Sequence, residues 1–230
     1  MAAYYNENDK FAAAWLRELI KAGLIADGEV DDRSIELVRP DDLRGFSQCH
    51  FFAGIGGWSA ALRLASWPDD RHVWTGSCPC QRFSSAARGR VVAADLWPLW
   101  SRLIAECGPR TLFGEQVVNE RWADALVFDL EYLGYEVGAA VVPACALGFD
   151  HARERFYFVG HANEHCQSGM SVDAKVAGVS RDRSDAGSVG TAHGLSRDVV
   201  AFSGFGNAIV PQVAAQFIGA YLALHEATET

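Results

Sequence analysis

An apolar run from Cys49 to Ala53 passes directly into Gly54-Ile55-Gly56-Gly57 and then into a helical stretch from Trp58 to Ala65. A strand that feeds a helix through clustered glycines lets the backbone turn sharply and approach a ligand closely, and it is the unit from which open α/β sheets are built. The same alternation recurs downstream. His72 to Gly76 reads as a strand, Ala94 to Cys107 as a helix stopped by Gly108-Pro109, and Thr111 to Val118 as a buried strand. Glu120 to Leu133 follows as a helix capped by Asn119 and ended by Gly134, with strands at Tyr135 to Val142 and Arg155 to Gly160. Strand and helix in alternation imply an open, largely parallel α/β sheet.

The flanks differ from this middle. Residues 9 to 22 place Phe11, Ala12, Trp15, Leu16, Leu19 and Ile20 on one stripe, with Asn8 or Asp9 as N-cap and Gly23 beyond the end, so an amphipathic helix is expected. Residues 24 to 45 are acidic and interrupted by Gly28 and Pro40, and read as a connector with one short helix. Residues 161 to 200 are rich in Gly, Ser, Asp and Arg without periodicity, as a long loop or a minimal inserted module would be. Order returns at Gly206-Asn207-Ala208 and a last helix opening at Pro211. Four regions are expected: an N-terminal helical and acidic extension (1–45), an α/β core (46–162), a short aperiodic region (163–200) and a C-terminal segment (201–230) that completes the core.

With 230 residues, half of them hydrophobic, the chain can bury one substantial core. The six cysteines show no C-x-x-C spacing, so neither a zinc site nor a disulfide scaffold is expected, and no metal is called for. There is no run of 18 apolar residues and the first ten residues are too polar for a signal peptide, which points to a cytoplasmic protein without membrane contact. The net charge of -9 opposes binding to a polyanion, but its distribution is uneven. Acids crowd the first 45 positions, whereas arginines gather at Arg82, Arg88 and Arg90 and again at Arg181 and Arg183.

Three places can carry chemistry. Pro79-Cys80-Gln81 follows a strand, at the edge where ligands of open α/β sheets collect, so Cys80 is a candidate nucleophile; a buried inert thiol is the bland alternative. Cys78 points the same way along an extended backbone and is either the rival nucleophile or part of the wall. Glu115 lies near the end of an otherwise apolar strand, where an unpaired carboxylate is costly, so it serves either proton transfer or an ion pair with Arg153 or Arg155. Those two arginines alternate in His151-Ala-Arg153-Glu-Arg155 and project to one face, suited to an anion or a carbonyl oxygen, or simply to solvent.

Taken in order, these segments resemble the motif set of the DNA cytosine-5 methyltransferases. Phe52-Ala-Gly-Ile-Gly-Gly57 is similar to the family's first motif, Pro79-Cys80-Gln81 with Phe83-Ser84 to its nucleophile motif, and Gly114-Glu115-Gln116-Val117 to its Glu-Asn-Val motif. His151-Ala-Arg153-Glu-Arg155 is similar to its Gln-x-Arg-x-Arg motif and Gly206-Asn207-Ala208-Ile209-Val210 to its C-terminal Gly-Asn motif, and the whole chain looks like compact phage and prophage members. The resemblance implies an S-adenosylmethionine-dependent, Rossmann-like fold and methyl transfer to C5 of a flipped cytosine in double-stranded DNA by a monomer in the bacterial host cytoplasm. It implies Cys80, Glu115, Arg153 and Arg155 as the catalytic set. It implies Phe52, Gly54, Ile55, Gly56, Gly57 and Asn207 around S-adenosylmethionine, and Pro79, Gln81, Arg82, Ser84, Arg88 and Arg90 on the DNA. The same chemistry on RNA, or a non-catalytic DNA-binding relative, are the alternatives.

The departures are specific. Gln116 stands for the usual Asn, His151 for Gln, and Asp150 where Pro is common. From Gly56 to Pro79 there is room for only one helix and one strand, where typical members insert further strands bearing the acid that binds the cofactor ribose. The sheet is therefore expected to be contracted, with Asp69, Asp70 or an acid of the N-terminal segment replacing that group. Residues 163 to 200 are short for a recognition region and imply a target of about two to four base pairs, at roughly one base per bidentate side chain.

Overall fold

In the computed structural model, described for residues 2–79, 95–150, 153–162 and 209–226, the chain forms one seven-stranded sheet covered on both faces by helices. In chain order the elements are β1 (Ala3–Asn6), α1 (Lys10–Lys21), β2 (Gly28–Asp31), β3 (Gln48–Phe51), α2 (Gly57–Leu64) and β4 (Val73–Gly76). They continue with α3 (Trp97–Cys107), β5 (Thr111–Val117), α4 (Glu120–Tyr132), β6 (Tyr135–Pro143), β7 (Glu154–Ala162) and α5 (Pro211–Glu226). The strand order is β2-β1-β3-β4-β5-β7-β6. The pairs from β2 across to β5 are parallel, and β7 runs antiparallel between β5 and β6.

Strand alternation sorts the side chains into two layers. Tyr4, Phe51, Leu112 and Phe158 face α3 and α4 and the two short 3₁₀ turns at Ile35–Leu37 and Pro40–Leu43. Phe113, Tyr157 and Val159 face the opposite way, against α2 and α5, while Ala3 and Tyr5 meet α1. Both layers are rich in aromatic rings. Trp97, Trp100 and Phe158 pack edge-on or tilted under one face, and Trp67, Phe113 and Tyr221 under the other.

Local rules account for most element ends. The Asp9 side chain accepts the Ala12 N–H and so caps α1, and Asn119 does the same for α4 through the Trp122 N–H. Gly108 takes the left-handed conformation at the end of α3. Helix α3 begins at Trp97 with Pro98 in its first turn, three residues after the expected start.

The main difference lies in the first 45 residues. Sequence patterning leads one to expect a helix and a connector there, but β1 and β2 are strands of the central sheet. β1 pairs with β3 through Ala3↔Gln48 to Asn6↔Phe51, and β2 pairs with the far side of β1. The contraction between the glycine turn and Pro79 is present in the chain, since only α2 and β4 lie there. It is not present in the sheet, because the N-terminal segment lays two parallel strands beside β3. Four-residue strands are too short to show an alternating pattern, which is why the sequence concealed them.

Candidate functional site

Parallel strands bring their carboxyl ends to one edge, and the register fixes which residues meet there. Asn6 lies opposite Phe51, Phe51 opposite Gly76, and Gly76 opposite Gly114. Because β7 runs the other way, its amino end reaches the same edge, with Arg155 opposite Val117. The segments following β1, β3 and β4, the end of β5 and the start of β7 therefore form one lip.

The glycine turn lies at its middle. Phe52 adopts φ of +51°, a left-handed conformation uncommon for a residue with a side chain, and Gly54 and Gly56 follow at +55° and +83°. Gly56 opens α2 as its N-cap. A Cβ on Gly54 would meet nothing closer than the Phe52 carbonyl at 4.0 Å, so the lip is open above it, whereas one on Gly57 would lie 2.7 Å from Ile209 Cγ1. The Gly54 N–H donates to Glu7 Oε2 at 2.7 Å, and the other oxygen of Glu7 accepts the Asp9 N–H at 2.8 Å. The acid just past β1 is thereby tied to the glycine turn. Asp69 and Asp70 are not brought there: they precede β4 at the opposite edge, where Asp69 pairs with Arg63 at 2.7 Å. Of the acids considered in their place, an N-terminal one, Glu7, meets the turn.

Glu115 is buried at the end of β5, and Arg155 Nε donates to its Oε1 at 2.8 Å. Burial pushes the Glu115 carboxyl above its ordinary value, opposed by the positive charges of Arg155 and Arg153 and by the Ser77 hydroxyl. Burial, reinforced by the like charge of Arg155, lowers the Arg153 guanidinium from its usual value. Ser77 is held in turn by Trp58, whose indole N–H donates to its hydroxyl at 3.0 Å. The neighbouring Gln116, also buried, donates from Nε2 to the Cys78 carbonyl at 2.7 Å and accepts the Val117 N–H at 2.9 Å. The Cys78 side chain is buried in the aromatic layer with Phe51, Trp74 and Trp97. Pro79 is half-buried and is the last described residue of this segment.

Of the residues expected at the site, the structure brings together Phe52, Gly54, Ile55, Gly56, Gly57, Pro79, Glu115, Arg153 and Arg155 at this edge. Cys80, Gln81, Arg82, Ser84, Arg88, Arg90, Asn207 and His151 lie outside the described residues, as does the recognition region 163–200. Glu7, Ser77 and the two-sided hydrogen bonding of Gln116 were not singled out by sequence reasoning. Among the described residues no group of three or more His, Cys, Asp or Glu side chains is arranged to hold a metal ion, and no helix is long and apolar enough to cross a membrane.

The fold is a mixed α/β open sheet of seven strands with a glycine turn at its carboxyl edge, where such sheets bind their ligands. Residues 66–177 match the family model of C-5 cytosine-specific DNA methylase, a family whose methyl donor is S-adenosylmethionine. The match takes in Pro79-Cys80-Gln81, Glu115 and both arginines, and begins after the glycine turn. Similar solved structures include a mutant DNMT2 of Spodoptera frugiperda (13% identity, 71% of this chain and 51% of that one, TM-score 0.42). A putative DNA modification methyltransferase encoded within prophage Cp of E. coli (18% identity, 70% and 47%, TM-score 0.42) is another. A third is the Dnmt2 methyltransferase of S. pombe (11% identity, 80% and 57%, TM-score 0.42). The chain spans about half the length of these structures. No curated protein sequence matches it.

Proposed function

We propose that the protein transfers a methyl group to C5 of a flipped cytosine in double-stranded DNA, through a covalent bond between Cys80 and C6 of the base. The observation that carries this reading is the buried Glu115–Arg155 pair, set beside the main chain that leads through Ser77, Cys78 and Pro79 into Cys80. Burial, which raises the pKa of this acid, favours its carrying a proton to a ring nitrogen. Glu115 would face N3 and the exocyclic amine, and Arg155 the O2 oxygen. The Cys80 thiolate adds to C6 while N3 takes a proton from Glu115, which leaves C5 electron-rich. After C5 gains the methyl, loss of its proton to a base, departure of the thiolate and return of the N3 proton to Glu115 restore the neutral aromatic ring. The burial of the Cys78 side chain favours Cys80 as the nucleophile. Arg153, charged and close to both partners, supports the pair, with Gln81, Arg82, Ser84, Arg88 and Arg90 meeting the DNA.

S-adenosylmethionine, when bound, supplies an electrophilic methyl on its sulfonium. The glycine turn fits such a group, since space above Gly54 is open and the Gly56 N-terminus of α2 faces the same lip. Phe52, Gly54, Ile55, Gly56, Gly57 and Asn207 would hold it, and Glu7 has the position and chemistry to accept hydrogen bonds from a ribose diol. In that arrangement the strands lacking between the glycine turn and Pro79 are supplied by β1 and β2, and residues 1–45 belong to the cofactor half of the molecule.

The test is methyl transfer from labelled S-adenosylmethionine to duplex DNA and, separately, to tRNA, followed by bisulfite sequencing of the product. Label in DNA cytosines with the wild type and none with Cys80→Ser is expected. Transfer to tRNA alone would overturn the choice of DNA, and transfer to neither would overturn the reading as a whole. Glu7→Gln should weaken cofactor binding about tenfold, as one lost charge-assisted hydrogen bond does; unchanged binding by calorimetry removes Glu7 from the pocket.

A further inference from the structure

We propose that Gln116 is a positioning residue that sets the path of the main chain from Ser77 to Pro79, ahead of Cys80, an inference that rests on the function proposed above. β4 ends at Gly76, paired with Gly114, but β5 continues three residues further, to Val117. The overhanging end of β5 therefore runs beside a segment, Ser77 to Pro79, that has left the sheet and has no ladder to hold it. Two consecutive β5 side chains supply what the ladder does not. Glu115 reaches the Ser77 hydroxyl, and Gln116, from the next position, reaches the Cys78 carbonyl at 2.7 Å.

The Gln116 amide is committed at both ends, since its oxygen accepts the Val117 N–H at 2.9 Å while its nitrogen holds Cys78. The side chain closes a bridge from the backbone of β5 to the backbone two residues before Cys80. Gln116 and Cys78 are 4% and 3% exposed, so water does not readily replace the bond if it is lost. The bridge also couples neighbours: the strand that presents Glu115 to the base is the same strand that fixes the approach to the thiol. A shift of the Ser77–Pro79 segment relative to Glu115 misaligns nucleophile and acid together, to which catalysis is far more sensitive than ligand binding is. Asn is shorter by about 1.5 Å, one carbon–carbon bond, so from the same Cα it reaches less far toward the Cys78 carbonyl.

The experiment compares the full-length protein with Gln116→Met, which keeps the shape and removes the amide, and Gln116→Asn, which keeps the amide on a shorter arm. Single-turnover methyl transfer, cofactor affinity and the alkylation rate of each cysteine by iodoacetamide are read together. In both variants the expected result is a fall in single-turnover rate of at least thirtyfold, with cofactor affinity within threefold of the parent. Cys78 should become alkylated at least tenfold faster while Cys49, buried on β3, stays protected. Parental rates and parental Cys78 protection would overturn the proposal. So would a gain in reactivity at Cys49 in step with Cys78 in both variants, since general loosening then explains the loss. If Gln116→Met alone exposes Cys49, the outcome with Gln116→Asn decides. If the parent transfers no methyl to any substrate, the functional reading fails, and selective exposure of Cys78 still decides whether the bridge sets this path.

Discussion

At the scale of single residues, the site is an exercise in keeping charge out of water. Burial holds the Glu115 carboxyl above its ordinary value despite two nearby guanidinium groups, so the native protein binds this proton more tightly than the unfolded chain does. The stability contributed by this group is therefore greatest below the ordinary glutamate value of 4.5 and falls as pH rises through the elevated native one. Glu115→Gln removes that fall. Its stability relative to the parent should grow from pH 4.5 toward neutrality, measured by urea midpoints at each pH, while methyl transfer drops about 10²–10⁴-fold, as for loss of a general acid. Arg155→Met leaves the acid buried without its closest partner. It should cost about 3 kcal/mol, the low end for a broken buried pair because the Arg155 side chain is 21% exposed, and chemical denaturation checks it. Glu115 and the two arginines were legible as a candidate group because each type of residue is out of place in its surroundings. An acid of the N-terminal segment was expected, but which one was not legible until β1 put Glu7 beside the glycine turn.

At the scale of elements, glycine is used for two different purposes. In the turn it supplies backbone freedom; within the sheet it supplies room. A Cβ on Gly114 would lie 2.0 Å from the Phe158 ring and one on Gly76 2.7 Å from Trp100, so these strands can carry no larger residue at these points. Gly114→Ala should destabilise the protein by about 1–3 kcal/mol through overpacking, seen as a lower thermal midpoint. Gly54→Ala meets no such neighbour and pays only for its left-handed backbone, about 1 kcal/mol. It should leave the fold in place and weaken cofactor binding by calorimetry, because its added methyl enters the open lip. The helices and the longer strands were legible from periodicity, caps and glycine stops. β1 and β2 were not, since four residues cannot display a period and their identity as strands comes from pairing with β3.

At the scale of the whole molecule, the N-terminal forty-five residues are part of the sheet rather than an appendage. Without them β3 would become an edge, and Tyr4 and Tyr5, buried on opposite faces, would leave gaps in both layers. A protein beginning at residue 46 should lose the cooperative unfolding transition and cofactor binding together, by circular dichroism and calorimetry. The net charge of -9 has its own consequence. If three arginines, Arg82, Arg88 and Arg90, supply the phosphate contacts, the salt dependence of DNA binding should have a slope of about −3 in log K against log salt, at roughly 0.9 per phosphate. Fluorescence anisotropy over a salt series measures it, and Arg88→Ala should reduce the slope by about one.

By itself, the sequence determined the class of fold and the order of the motifs, because a strand, glycine turn and helix and a cysteine between a proline and a glutamine are local patterns written in neighbouring residues. Only the tertiary structure decided where the missing strands come from and which acid meets the glycine turn. It also decided that Gln116 grips the chain ahead of Cys80. These depend on strand pairing between segments distant in the chain, and pairing is set by the packing of two faces at once rather than by any one stretch of residues.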